Sequence, residues 1–193
     1  ILSFNKTKVA AVFDDTPNLR SPFKGTNIYT GLKELRKWSK DKNVSRYGFV
    51  VAIGNPHSKE RLQIHNSIKR LGFKEINVIH PSAIISKSAK LGRGVQILAE
   101  AVISPNSSLG DCCIVDQRGI IGTNTIVGNG SEIGPNTLVA GEVEVEDHCW
   151  ICAGSSVLPR VKIGSNSIVG AGAVVTKSVE KNSKVFGIPA KKV

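Results

Sequence analysis

Methionine is absent from this 193-residue chain, and aromatic residues are scarce: six Phe, two Trp and two Tyr. No apolar run approaches the roughly 18–20 residues that span a bilayer, so no membrane insertion is expected. Four cysteines are too few for a disulfide scaffold and fit a reducing compartment. No basic, apolar and small-residue leader opens the chain, so the expected location is cytoplasmic. The missing methionines, with an opening at Ile1 in a stretch (ILSFNK) that reads as the tail of a helix, point to an incomplete N-terminal segment. What remains, 40% hydrophobic and 21% charged residues with 19 glycines, is the composition of a globular, turn-rich, β-rich protein.

The net charge of +11 raises the question of nucleic acid, and its distribution answers it. Residues 1–78 carry 15 Lys and Arg against 6 Asp and Glu; residues 79–174 carry 6 against 8; residues 175–193 carry 5 against 1. The basic excess of the first segment is spread over helical stretches such as GLKELRKWSKDK, with no interleaved aromatics on which bases could stack. Nucleic acid is therefore not an expected partner. Phosphorylated small molecules fit such a surface better.

A six-residue repeat fills half the chain. From Ile79 to Val175 every sixth residue is Ile, Leu or Val, seventeen positions without an exception or insertion. The fifth residue of each hexad is small or β-branched, as at Ala83, Ala101, Ser107, Cys113, Thr125 and Ala173. Glycine follows the aliphatic at Gly92, Gly110, Gly128 and Gly164, an eighteen-residue spacing interrupted only by Glu146. Each hexad makes one short strand and a turn, and three hexads close a triangular coil with the aliphatics inside and glycines or small polar residues at the corners. Sixteen hexads make a little over five coils of a parallel β-helix.

The preceding residues read as α/β: KVAAVFDD a strand, GLKELRKWSK a helix, RYGFVVAIGN a buried strand, and SKERLQIHNSIKRLGF an amphipathic helix capped by Ser58. This is half of a doubly wound fold, whose ligands sit at the carboxyl ends of the strands, where Asp14, Asp15, Gly54 and Asn55 fall. The expected organisation is a small nucleotide-sugar-binding-like domain over 1–78, a β-helix over 79–175 and a tail over 176–193.

With FDD, VAIGN and IHPSA followed by hexads ending in VGAGAVVTKSV and VFGIPAKKV, the chain resembles bacterial hexapeptide-repeat sugar acyltransferases. The nearest group is the sialic acid O-acetyltransferases and the N-acetyltransferases of nucleotide-linked amino sugars. The resemblance implies a left-handed β-helix, a homotrimer, acetyl-CoA as cosubstrate without a metal, and a sugar or nucleotide-sugar acceptor from surface-polysaccharide synthesis. It implies direct acyl transfer to nitrogen or oxygen in a ternary complex. By position, Asp14, Asp15, Gly54 and Asn55 would face the sugar nucleotide; Ala153 and Ala171 the pantetheine; Ile188, Pro189 and Lys192 the nucleotide end of CoA, where a lysine suits phosphate.

The departures matter equally. The family's glycine-rich first turn is absent. Its general-base histidine and following acid are Thr123 and Asn124 here, and a second histidine near the thioester is Glu132. A positioned base contributes about 10²–10⁴-fold, and threonine cannot act as one near neutral pH. Glu132 could, if burial raised its pKa, with Asp116 a weaker candidate. The alternative is a catalytically degenerate β-helix that keeps a binding or assembly role.

Other constellations carry less. Cys149-x-x-Cys152 beside His148, with Cys112 and Cys113, resembles a metal or redox site, but Cys113 and Cys149 occupy inward slots two coils apart. His80 and His148 lie at opposite ends of the repeat, which excludes a three-histidine metal centre. His57 and His65 read as surface or satisfied histidines, and Trp150 as a packing residue.

Overall fold

The computed structural model describes residues 8–193; the ILSFNK stretch lies outside them. From Val78 the chain winds as a left-handed parallel β-helix with two-residue strands on three flat faces. The first face begins with Val78–Ile79 and includes Ile114–Val115, Glu132–Ile133, Trp150–Ile151 and Ile168–Val169. The second includes Ile84–Ile85, Val102–Ile103, Ile120–Ile121 and Leu138–Val139; the third includes Ser108–Leu109, Ile126–Val127 and Glu144–Val145. Partners are 18 residues apart, as Val115 with Ile133 and Ile121 with Val139, until the last turn, where Ile168 pairs with Lys184. The aliphatic of each hexad points inward, and from Ile97 to Val175 these side chains are buried. Burying one aliphatic contributes about 1.5–3 kcal/mol, so the stacked interior is the main stabilising element.

The small inward slot has a second use. A hydroxyl or thiol there donates to a carbonyl fifteen residues on: Thr125 Oγ1 to Ala140 at 2.7 Å, Ser131 Oγ to Glu146 at 2.7 Å, Thr137 Oγ1 to Cys152 at 2.9 Å, Cys113 Sγ to Gly128 at 3.0 Å. Polar groups can therefore enter a dry core without being left unpaired.

The glycines that follow the aliphatics do not make the left-handed turns expected of them. That conformation falls two residues later and is taken mostly by other residues, among them Asn124 (φ 57°), Asn136 (55°) and His148 (59°). Gly92, Gly110 and Gly128 are required by stacking instead: a Cβ would lie 2.5–2.7 Å from a carboxylate or amide oxygen of Asp111, Asn129 or Asp147 on the next coil. Those three side chains form a ladder in which each accepts a backbone N–H of the previous coil, from Arg93, Asp111 and Asn129, at 2.6–2.8 Å.

Glu146 replaces glycine in this series. Its carboxylate turns outward to accept from Ser165 N and Oγ and to meet Lys162 Nζ at 2.7 Å. Lys162 and the Ser165 bonds lower its pKa to about 2. A pKa below the unfolded value of roughly 4.3 stabilises the fold fully above that value, and the stabilisation is lost as pH falls towards 2. The melting-temperature advantage of wild type over Glu146→Gln should therefore shrink between pH 5 and pH 2; a constant difference would remove the carboxylate from the acid response.

Ahead of the β-helix, β1 (Val12–Phe13) pairs in parallel with β2 (Ile28–Tyr29), α1 covers Gly31–Ser39, and β3 (Gly48–Phe49) pairs in parallel with β4 (Lys74–Glu75) across α2 (Ser58–Arg70). Leu35, Val51, Ile68 and Phe73 form a separate core, with Trp38 set edge-on to Phe13 and Tyr47 and stacked on Phe73. The buried strand expected to run to Gly54 ends its ladder at Phe49. Beyond it side chains replace a neighbouring strand: Gln96 Nε2 donates to Val51 O at 3.0 Å and Arg61 Nη1 donates to Ile53 O. No helix among the described residues is long and apolar enough to cross a membrane.

Candidate active site

A buried cation is the centre of the contact between the α/β unit and the β-helix. Arg61 of α2 is fully buried, and its guanidinium donates to Cys112 O at 3.0 Å and Gly130 O at 2.6 Å as well as to Ile53 O. Its Nη1 lies 3.6 Å from Glu132 Oε2. That same oxygen accepts the Asn55 N–H at 3.0 Å. Gly54 sits over it too, where an added Cβ would lie 3.8 Å from the carboxylate. The structure thus brings Gly54, Asn55 and Glu132 together. The Glu132 side chain is 13% exposed, and burial pushes its pKa up against the opposing pull of the Asn55 N–H and Arg61; the Asp116 charge adds to the rise.

Beside this contact lies a groove of about 230 Å³ between the start of α2 and the first face, lined by Asn55, Ser58, Lys59, His148, Trp150 and Asn166 among others. Ser58 is not the cap of α2. His57 holds the cap position without a side-chain bond, and Ser58 is the first helical residue. Its Oγ meets His148 Nδ1 at 3.3 Å instead. Burial lowers the His148 pKa, as do Lys59 and Arg61, against the raising effect of Asp147. Asn55 Nδ2 and Asn166 Oδ1, on two groove residues, are buried without a hydrogen-bond partner.

The remaining candidates lie elsewhere. Ala153 and Ala171 are at successive corners between the first and second faces, each followed by a glycine, Gly154 and Gly172, with open space where a Cβ would be. The tail returns over this end: Phe186 packs on Gly170 with no room for a Cβ, Ala190 N–H donates to Val174 O at 2.8 Å, and Ile188 is exposed ahead of Pro189. Lys192 pairs with Glu180 at 3.1 Å. Asp14 accepts the Thr16 N–H at 2.8 Å; the Thr16 side chain and then this N–H lower its pKa, and Asp15 packs on Gly31 at the start of α1. Thr123 and Asn124 are exposed at the corner between the second and third faces. Glu132 is on the first face, so one chain does not bring it together with them.

All four cysteines are free; Cys112 and Cys113 are pushed up to about 12 and Cys149 to about 11 by burial. His65 is buried, with Nε2 2.9 Å from Glu75 and its ring against Phe49. Among the described residues no cluster of three or more His, Cys, Asp or Glu could hold a metal.

Comparison with known proteins agrees with this architecture. Residues 142–177 match the family described as bacterial transferase hexapeptide (six repeats). Serine acetyltransferase of Staphylococcus aureus (strain MSSA476) is 30% identical over 194 residues, covering 98% of this chain and 76% of the relative. This chain belongs to the hexapeptide-repeat acetyltransferases. A galactoside O-acetyltransferase of Lactococcus lactis is 48% identical over 48 residues, a quarter of this chain (25%) and 23% of the relative's length. Among solved structures, the perosamine N-acetyltransferase of Caulobacter crescentus, a histidine-to-asparagine variant with CoA and GDP-perosamine, superposes with a TM-score of 0.87 at 29% identity. The match covers all of this chain (100%) and 88% of the other.

For an acetyltransferase of this family, the sequence leaves two site features unmarked. Arg61 is one of fourteen cationic residues in the first 70 and carries no motif. The Ser58–His148 contact joins residues 90 apart. The only sequence signal for either is indirect: a cation and a small hydroxyl on the face of α2 that must meet another layer.

Proposed function

We propose that this chain transfers the acetyl group of acetyl-CoA to the amino group of a nucleotide-linked sugar used in surface-polysaccharide synthesis. The observation that carries the reading is the α/β unit locked onto Glu132 through Asn55 and Arg61, in a chain similar along its whole length to a perosamine N-acetyltransferase. Acetyl-CoA follows the open corners at Ala153 and Ala171 towards Ile188, Pro189 and Lys192, and the nucleotide lies towards Asp14 and Asp15. Glu132, whose contacts with Asn55 and Arg61 both fall on Oε2, presents a carboxylate to the acceptor ammonium. Both substrates belong to the cytoplasm.

The functional unit is a homotrimer. On the second face Ile84, Val102, Ile120 and Leu138 are in register and point outward, and Ile84 is 66% exposed. Such a stripe is covered by another copy, whose Thr123 corner then closes the site that one chain leaves open. Calorimetric titration with acetyl-CoA and GDP-perosamine, followed by mass-spectrometric search for the acetylated sugar, tests this. One site per subunit for each ligand, and product, are expected; no binding at millimolar ligand would overturn it. Binding without turnover would favour the second reading, a silent β-helix, for which Thr123 and Asn124 speak.

A further inference from the structure

We propose that His148 is the proton acceptor for the attacking amine, standing in the groove between α2 and the first face. The inference rests on the transferase reading above and assigns it a group that Thr123 cannot supply. His148 lines the groove directly, two residues ahead of Trp150, whose register partner on the neighbouring strand is Glu132. Asn55 ties the two together, since its N–H holds Glu132 while the residue lines the groove. An acceptor amine in this groove has the imidazole on its wall, with Glu132 on the strand next to Trp150.

Three features prepare the ring. Ser58 Oγ fixes Nδ1, and with Nδ1–H as donor the lone pair is on Nε2. Nε2 is not among the buried unpaired atoms and has no protein partner among the described residues, which leaves it to solvent or a ligand. The charged groups around the ring are Asp147 on its own corner, Lys59 and Arg61 from α2, and Glu60 on the groove wall. Burial and the two cations keep it neutral at pH 7. In the transfer the acceptor ammonium first releases one proton to water; the neutral amine nitrogen then attacks the thioester carbonyl, the C–N bond forms, the C–S bond breaks and CoA leaves as thiolate. The proton lost by nitrogen goes to Nε2 and is returned to the thiolate.

The test is His148→Asn, chosen because position 148 has φ 59°, a conformation asparagine accepts readily. With GDP-perosamine and acetyl-CoA, kcat should fall about 10²-fold or more, KM for acetyl-CoA should stay unchanged, and the part of the acid limb due to the imidazole should disappear while the Glu132 decline remains. Ser58→Ala should shift the imidazole limb and lower kcat by less than His148→Asn does. A wild-type profile in His148→Asn overturns the inference. If the wild type acetylates no sugar, the transferase reading falls by that result, and nitrogen-15 spectra of the four histidines decide the rest. A GDP-perosamine-induced shift of the His148 signal supports a ligand site at this ring; a shift confined to other histidines, or none, overturns it.

Discussion

Arg61→Met should detach the α/β unit from the β-helix without unfolding the β-helix itself. Arg61 is the largest fully buried side chain, and its guanidinium satisfies the carbonyls of Cys112 and Gly130 in buried bonds and that of Ile53 in a partly buried one. Methionine fills a similar volume but donates nothing, and each carbonyl left unpaired costs about 1–3 kcal/mol. Removing one member of a buried charge pair costs about 3–5 kcal/mol, reduced here because Glu132 can take up a proton. The loss therefore exceeds what most surface substitutions produce and is concentrated at one contact. Hydrogen exchange should accelerate in α2 while amides between 95 and 175 keep their protection. Equal acceleration in both would mean that the two units fold as one.

Glu132→Gln is expected to lower acetyl transfer about 10²-fold at neutral pH, and it also costs stability, because the buried Arg61 guanidinium loses its anion. Glutamine keeps the shape, and its carbonyl can accept the Asn55 N–H in place of Oε2. What it removes is the anion that receives the acceptor ammonium. Burial holds the Glu132 pKa above the usual carboxylate value, so activity that needs the anion declines as pH falls through a range where an exposed glutamate would still be ionised. The variant should lose that decline together with the rate. Undiminished turnover would take Glu132 out of the chemistry and leave it the structural task of holding Asn55.

The repeat was legible because each of its rules is local: an aliphatic every sixth residue is enough to place Ile97 to Val175 inside. The corner glycines misled because two constraints, positive φ and close stacking, both favour glycine, and Gly92, Gly110 and Gly128 answer the second. In the α/β unit, the two helices were readable from the patterns of GLKELRKWSK and SKERLQIHNSIKRLGF, whereas the end of the second, which stops at Arg70, and the strand to Gly54 were overextended. The strand's apolar residues are buried, but Val51 O and Ile53 O are satisfied by Gln96 and Arg61. The site itself is assembled across 69 to 90 residues of chain, as in Arg61 with Gly130 and Ser58 with His148, and no spacing in the sequence encodes such contacts.

The 18-residue coil also acts as a ruler. Strands on one face are about 4.8 Å apart, so Glu132, Trp150, Ile168 and Lys184 mark equal steps along the first face. The separation between the carboxylate and the tail is thus counted in whole coils. Adding eighteen residues between Ile151 and Ile168 would preserve every inward aliphatic and every rung of the corner ladder, yet lengthen the interval by one step. A cosubstrate of fixed length would then reach only one end of its track, in a protein whose stability had hardly changed.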